Sequence, residues 1–252
     1  YFIPWAAKGL GYSAPPAPPI PAGVPAPRLD ANSIVAHGQL VEKAKKGGID
    51  VYFLGDSNTR RWGATDYPEL LANWKQNFHG WNAANFGWGA DRTQHILWRI
   101  QNGELENVNP KVVVLLAGTN DIGAGATAEE TARGVEAIAA AVQAKAPAAT
   151  LILTAILPRN DRPSAMELVN AANQGLSKLA DGANVRFLNI NAKLAGPDGK
   201  LFDGMMPDRL HPSLQAYQIW ADALKPVLTE LLGPPSAEDR APPPTGDPSA
   251  KR

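Results

Sequence analysis

Residues 111–117, Lys-Val-Val-Val-Leu-Leu-Ala, form an unbroken apolar run rich in β-branched side chains. It lacks the alternation of a half-exposed strand, so it reads as a strand buried on both faces. Residues 49–55, 150–157 and 185–190 repeat the pattern, and residues 81–86 form a weaker copy. Helical spacing fills the gaps. Ile96, Leu97 and Ile100 recur at helical intervals within residues 93–105. Residues 127–146 form an Ala-rich helix opened by Thr127 with Glu130 three positions on, a capping box. Residues 165–179 and 212–232 complete the helices. Doubly buried strands alternating with helices predict an α/β fold, a three-layer α/β/α sandwich around a parallel sheet of about five strands. Ligands of such sheets bind beyond the carboxyl ends of the strands, so chemistry is sought in the loops that follow them.

Proline marks both ends of the chain. Eight prolines lie in residues 1–28 and six in residues 233–252. The expected organisation is a Pro-rich arm over 1–28, one domain over 29–232, and a disordered tail over 233–252. Tyr1, Phe2, Ile3, Trp5 and Tyr12 are wasteful in a free tail, so part of the arm is expected to lie extended on the domain. The formal net charge is zero, which gives no electrostatic case for nucleic acid as a partner. No apolar run approaches the roughly 18 residues of a membrane span. The absence of cysteine excludes disulfides, a thiol nucleophile and thiolate metal ligands. The four histidines, His37, His79, His95 and His211, form no HxxxH or HxH pair, which argues against a metal centre. The chain begins at Tyr1 rather than Met, and with the Pro-rich arm this favours an exported protein, secreted or periplasmic. Oligomeric state has no signature here.

Four loops carry the candidate chemistry. Gly55-Asp56-Ser57-Asn58-Thr59 follows the first strand and places Ser57 where a helix begins. Free N–H groups and the helix dipole there favour developing negative charge. Read as a cap, the same Asp and Ser are ordinary. Asn85-Phe86-Gly87-Trp88-Gly89-Ala90-Asp91 follows the second strand, and its glycines let backbone approach a ligand. Gly118-Thr119-Asn120-Asp121 follows the third strand, where an Asn amide can donate to an oxyanion or close an Asx-turn. Asp208-Arg209-Leu210-His211-Pro212 precedes the last helix. A serine nucleophile needs a base, and the base needs an orienting acceptor; Asp and His three apart supply both from one loop.

The order and placement of these loops resemble the SGNH, or GDSL, hydrolase superfamily. GDSNT matches its first block, GTND its third and DRLHP its last, over residues 49–232. Residues 85–121 look most like the catalytic subunits of platelet-activating factor acetylhydrolase Ib and related bacterial esterases. The resemblance implies the flavodoxin-like sandwich already read from the pattern. It also implies Ser57 as nucleophile, His211 as base and Asp208 as its orienter, with no cofactor. The oxyanion would be held by the backbone amides of Ser57 and Ala90 and by the Asn120 side chain. Ala90 departs from the family, which carries Gly before the Asp. An amide donor survives this change, but tolerance of the methyl requires a negative φ; a positive φ costs Ala roughly 1 kcal/mol or more. Asn58 replaces an apolar residue and either packs or faces the site.

Small acyl groups, acetyl above all, are the implied substrates. Trp62 and Trp88 could stack on a sugar ring or pack beside the site, and Arg92 is a further candidate contact. The favoured reading is an esterase removing O-acetyl groups from carbohydrate, with a small-molecule or polysaccharide ester as partner. A phospholipid or lysophospholipid acyl hydrolase or thioesterase is the alternative. A non-catalytic carbohydrate-binding module of the same fold is a third reading, disfavoured by the presence of all four of Ser57, Asn120, Asp208 and His211.

Overall fold

A computed structural model describes residues 21–251. Five parallel strands, β1 (Val51–Gly55), β2 (Ala83–Gly87), β3 (Val112–Leu116), β4 (Thr150–Thr154) and β5 (Val185–Leu188), form one sheet in the order β2-β1-β3-β4-β5. β1 and β3 are neighbours in register, Val51 beside Val112 and Gly55 beside Leu116. The order reverses at β1, so β1 and its two neighbours carry the topological switch point. The GDSNT, GTND and Ala90 loops are those that leave these three strands.

Strand periodicity divides the core into two. Tyr52, Leu54, Val113, Leu115, Leu151 and Leu153 face one side, and Val51, Phe53, Val112, Val114 and Leu116 the other. The first side is covered by α1 (Ala31–Lys45), α4 (Thr93–Arg99), α6 (Ala128–Lys145) and α7 (Ala165–Ser177). The second is covered by α2 (Ser57–Gly63), α3 (Pro68–Phe78) and α8 (Leu214–Leu232). A short helix, α5 (Thr119–Gly123), follows β3. The predicted three-layer sandwich is therefore the one observed. The capping box at Thr127 and Glu130 is also present, each side chain bonded to the other residue's amide.

Three departures from expectation have local causes. The helix read over 93–105 ends at Arg99 and passes into a single π turn, Ile100–Glu104, where Gly103 takes φ 111°. Helices α1 and α3 were not anticipated. The buried positions of α1 are Ser33, Ala36, Leu40, Lys43 and Ala44, a stripe too small and polar to register as apolar periodicity.

The tail is the third departure: residues 233–251 are not a free tail but a strap along the domain. Gly233 carbonyl accepts from Trp81 Nε1 at 3.0 Å, and Ser236 amide donates to Gly80 carbonyl at 2.9 Å. Asp239 accepts from Gly80 amide at 2.8 Å, and Arg240 amide donates to the Asn82 side chain at 2.6 Å. Further on, Asp247 amide donates to Asp66 at 2.7 Å. The strap passes β2, the edge strand. Pro242, Pro243 and Pro244 have no N–H to donate, so this part cannot lengthen the sheet and instead roofs a cavity of about 520 Å³ against Trp74, Phe78 and Ala84. Apart from a 3-10 turn at Pro248–Lys251 the tail carries no helix or strand, and the fixed φ of its prolines makes extended docking cheap in entropy. Of the N-terminal arm, residues 1–20 lie outside the described residues. Ala26 and Arg28 contact the domain, through Gln94 carbonyl at 3.1 Å and Gly89 carbonyl at 3.2 Å. Truncation after Gly233 is expected to lower Tm by roughly 10 °C in a thermal unfolding scan, given the loss of the Ser236, Asp239, Arg240 and Asp247 hydrogen bonds at about 1 kcal/mol each; a free tail would leave Tm unchanged.

Candidate active site

Ser57 is the first residue of α2. Asp56 caps that helix, its carboxylate accepting from Asn58 amide at 2.9 Å. The turn needs glycine on both sides. A Cβ at Gly55 would lie 2.4 Å from Leu116 carbonyl oxygen, and one at Gly87 would lie 2.4 Å from Arg60 nitrogen. Both distances are shorter than real Cβ contacts, so β1 and β3, and β2 and α2, approach this closely only because those side chains are missing.

His211 reaches the same point from the far end of the chain. Asp208 folds its loop into a turn, Oδ1 accepting from the amides of Leu210 at 3.1 Å and His211 at 2.7 Å. Its other oxygen accepts from His211 Nδ1 at 2.6 Å. That bond leaves Nε2 as the acceptor, 3.0 Å from Ser57 Oγ. Asn160 amide donates to Arg209 carbonyl at 2.9 Å, tying the loop to the segment after β4. Tyr217 of α8 donates to Asn58 carbonyl at 2.7 Å, which holds the helix of the serine against the helix that follows the histidine.

Burial works to raise the Asp208 pKa, but the amide and ring hydrogen bonds from His211 outweigh it and hold the carboxyl at about 2. His211 lies below its ordinary value of 6.5: burial lowers it, Asp208 opposes, and the positive charge of Arg61 adds to the lowering. Arg61 stands 3.4 Å from Asp208.

Asn120 Nδ2 donates to Asp91 carbonyl at 2.9 Å, which orients the amide and leaves its second hydrogen for a ligand. Asp121 accepts from Thr93 amide at 3.0 Å and Thr93 hydroxyl at 2.6 Å, so the loops after β2 and β3 are joined twice. Ala90 does not meet the condition set for it. Its φ is +61°, in the left-handed region, so the methyl carries the backbone cost anticipated for a positive φ. The residue is exposed, and its amide remains available as a donor.

The side-chain candidates divide. Arg92 borders an open cleft of about 420 Å³ that also touches Ala90, Asn120 and Leu210. Trp62 does not: it is fully buried, stacked on Tyr217 and Trp220 at centroid distances of 4.9 and 5.0 Å. Trp88 is 7 % exposed, its Nε1 donates to Ser33 at 2.8 Å, and Arg60 covers its ring at 4.9 Å. Asn58 is also buried, 2 % exposed. Neither tryptophan offers a sugar-stacking face, and Asn58 packs rather than facing the cleft. Arg61, Arg159, Asp161 and Arg162 were missed. The last three follow β4, where the strand-end rule pointed, but no motif marks them.

The other histidines are occupied. His95 Nδ1 accepts from Arg92 amide at 3.0 Å, and burial holds its pKa at about 4. His37 bonds to Glu104 at 2.8 Å. Among the described residues no cluster of three His, Asp or Glu side chains could hold a metal ion.

A hydroxyl, an imidazole and a carboxylate in line at the end of a parallel sheet constitute the apparatus of acyl transfer. The model of the GDSL-like Lipase/Acylhydrolase family matches residues 53–219. The chain is 36% identical over 207 residues to platelet-activating factor acetylhydrolase IB subunit alpha2 of Gallus gallus, covering 81% of this chain and 87% of that one. It is 33% identical over 240 residues to subunit alpha1 of Bos taurus, covering 90% and 97%. A GDSL-like lipase from Bacteroides thetaiotaomicron shares the fold at TM-score 0.63 and 20% identity, over 78% of this chain and 98% of that chain. The protein belongs to the GDSL-like lipase/acylhydrolase family expected from GDSNT, GTND and DRLHP, and it is a carboxylic ester hydrolase.

Two outcomes follow from this geometry. A base must be neutral to accept a proton, so the acid limb of kcat/KM is expected below pH 6.5, and Arg61→Gln, which removes a charge opposing protonation, should move it to higher pH in a pH–rate profile. At Ala90, glycine relieves about 1–2 kcal/mol of left-handed cost and loses about 0.5–1 kcal/mol through chain entropy, so Ala90→Gly should raise stability by up to about 1 kcal/mol in urea unfolding.

Proposed function

We propose that the protein hydrolyses short-chain, chiefly acetyl, esters through Ser57, His211 and Asp208. The observation that carries this reading is the unbroken relay from Ser57 Oγ to His211 Nε2 at 3.0 Å and from His211 Nδ1 to Asp208 at 2.6 Å. Ser57 oxygen attacks the ester carbonyl while its proton passes to His211. Asp208, already ionised, stabilises the imidazolium. Negative charge on the carbonyl oxygen meets the amides of Ser57 and Ala90 and the free hydrogen of Asn120. The imidazolium then protonates the departing alcohol. Water, deprotonated by the same histidine, releases the acid and restores the serine.

On the alcohol side we propose a polar partner, with O-acetylated carbohydrate as the favoured class. Support comes from the cleft, where Arg92, Asn120, Arg159, Asp161 and Arg162 stand beside only Ala90, Gly123, Ala124 and Leu210, too few and small to form a long acyl groove. Burial of Trp62 and Trp88 removes aromatic stacking from the case for sugar. The names of the relatives favour a second reading, an acetylated phospholipid.

Ser57→Ala should abolish turnover of p-nitrophenyl acetate with an unchanged circular dichroism spectrum; retained turnover would sink the assignment. Asn120→Ala should cost on the order of 2.7–4 kcal/mol in the barrier, about a hundredfold or more in kcat. Rates should fall steadily from acetate to octanoate esters.

A further inference from the structure

The proposed reaction uses none of the arginines that border the cleft. Three guanidiniums, those of Arg92, Arg159 and Arg162, stand there against one carboxylate, Asp161. The whole chain has no net charge, so this local excess is not a by-product of a basic protein. The three are not equivalent. Arg159 is 3 % exposed; Nε and Nη2 donate to Asp161 at 2.7 and 2.6 Å, and Nη1 donates to Thr119. It is a neutralised brace under the Asn120 loop. Arg162 is 43 % exposed, with one bond from Nη1 to Gly123 carbonyl at 2.6 Å and its Nε 3.8 Å from Asp161. Most of its five N–H donors remain unused. Arg92 makes no ion pair within 4.0 Å among the described residues, and its charge acts at longer range on the carboxyl of Asp121, whose pKa burial raises and Arg92 lowers.

Two guanidiniums thus lack a close ion-pair partner, one after β2 and one after β4, and both border the same cleft. Ala90 and Asn120 line that cleft, as does Leu210 next to His211. A group bound between the arginines therefore belongs to the molecule whose ester lies at Ser57. An acetyl arm is too small to carry it, so it sits on the alcohol. Planar guanidinium forks match carboxylate and phosphate oxygens.

We infer that Arg92 and Arg162 form an anion subsite, and that the esters this protein prefers carry a carboxylate or phosphate on the alcohol side. The inference rests on the esterase reading above and narrows it. A uronic acid would supply a carboxylate; an acetylated glycerophosphate would supply a phosphate. Both present the same oxyanion to the same two arginines.

The test uses the full chain and matched acetyl esters: O-acetylated methyl glucuronide against its uronamide, and O-acetylglycerol 3-phosphate against O-acetylglycerol. The quantity read is the ratio of kcat/KM, anionic over neutral. At least one pair should give a ratio of about ten or more, the size of a charge-assisted hydrogen bond. That ratio should fall with added salt. Arg162→Gln and Arg92→Gln should each reduce it about fivefold or more, chiefly through KM, and Arg162→Lys should retain part of it. The pair that responds identifies the source of the anion. Ratios near one in both pairs, with p-nitrophenyl acetate still turned over, overturn the subsite and leave the esterase standing. A ratio that survives both glutamine substitutions also overturns it. Loss of dependence on Ser57 would instead overturn the esterase reading.

Discussion

Arg99 lies beneath the site, its side chain 4 % exposed, between two carboxylates. Its Nε donates to Asp91 at 2.7 Å, one terminal nitrogen pairs with Glu104, and the other reaches Gly55 carbonyl at 3.3 Å. One guanidinium thereby ties the end of β1, where the GDSNT loop starts, to the loop after β2 and to the π turn after α4. His37 of α1 and Tyr52 of β1 complete the cluster through Glu104, at 2.8 and 2.9 Å. A buried pair of this kind contributes little net stability over an apolar substitute, but removing one partner typically costs about 3–5 kcal/mol because the other charge is stranded. Its value is positional. The Asn120 side chain hangs on the carbonyl of Asp91, so its placement depends on Arg99.

The loops also separate charge by depth. Asp56, Asp91 and Asp121 lie inside, and burial raises the pKa of each, Asp56 to about 7 and Asp91 to about 6. At the mouth stand Arg61, Arg92 and Arg162. The imidazole sits between the two layers, held by one ionised carboxylate and repelled, when protonated, by the nearest guanidinium. In such a field the His211 ring is oriented by Asp208 and biased toward its neutral form.

Fold and relay were legible because each rests on a pattern that one chain displays. Doubly buried strands announce a parallel sheet, and the strand-end rule then directs attention to Ser57, Asn120 and, by its partner chemistry, Asp208 with His211. What failed was direction. α2 is seven residues long, too short to reveal a face, so nothing in the sequence told Trp62 and Asn58 to point inward under Tyr217. Trp88 is covered by α1, a helix whose own stripe is nearly silent. Ala90 could be flagged but not resolved, since φ is a property of the folded loop. The strap was misread because six prolines suggest disorder, whereas its fastening is made by isolated polar groups such as Asp239 and Asn82, which have no periodicity to detect.

The bond between Ser57 and His211 joins positions 154 residues apart. The serine is set in the first βα turn and the imidazole just ahead of the last helix, so four of the five strands, β2 to β5, lie within the loop that this contact closes. Such a contact carries the entropy cost of closing a long loop, which everything packed inside it must meet. During synthesis the serine leaves the ribosome with no base to activate it. The hydroxyl and the imidazole can meet only when α8, whose Tyr217 clasps the helix of the serine, has docked on the sheet.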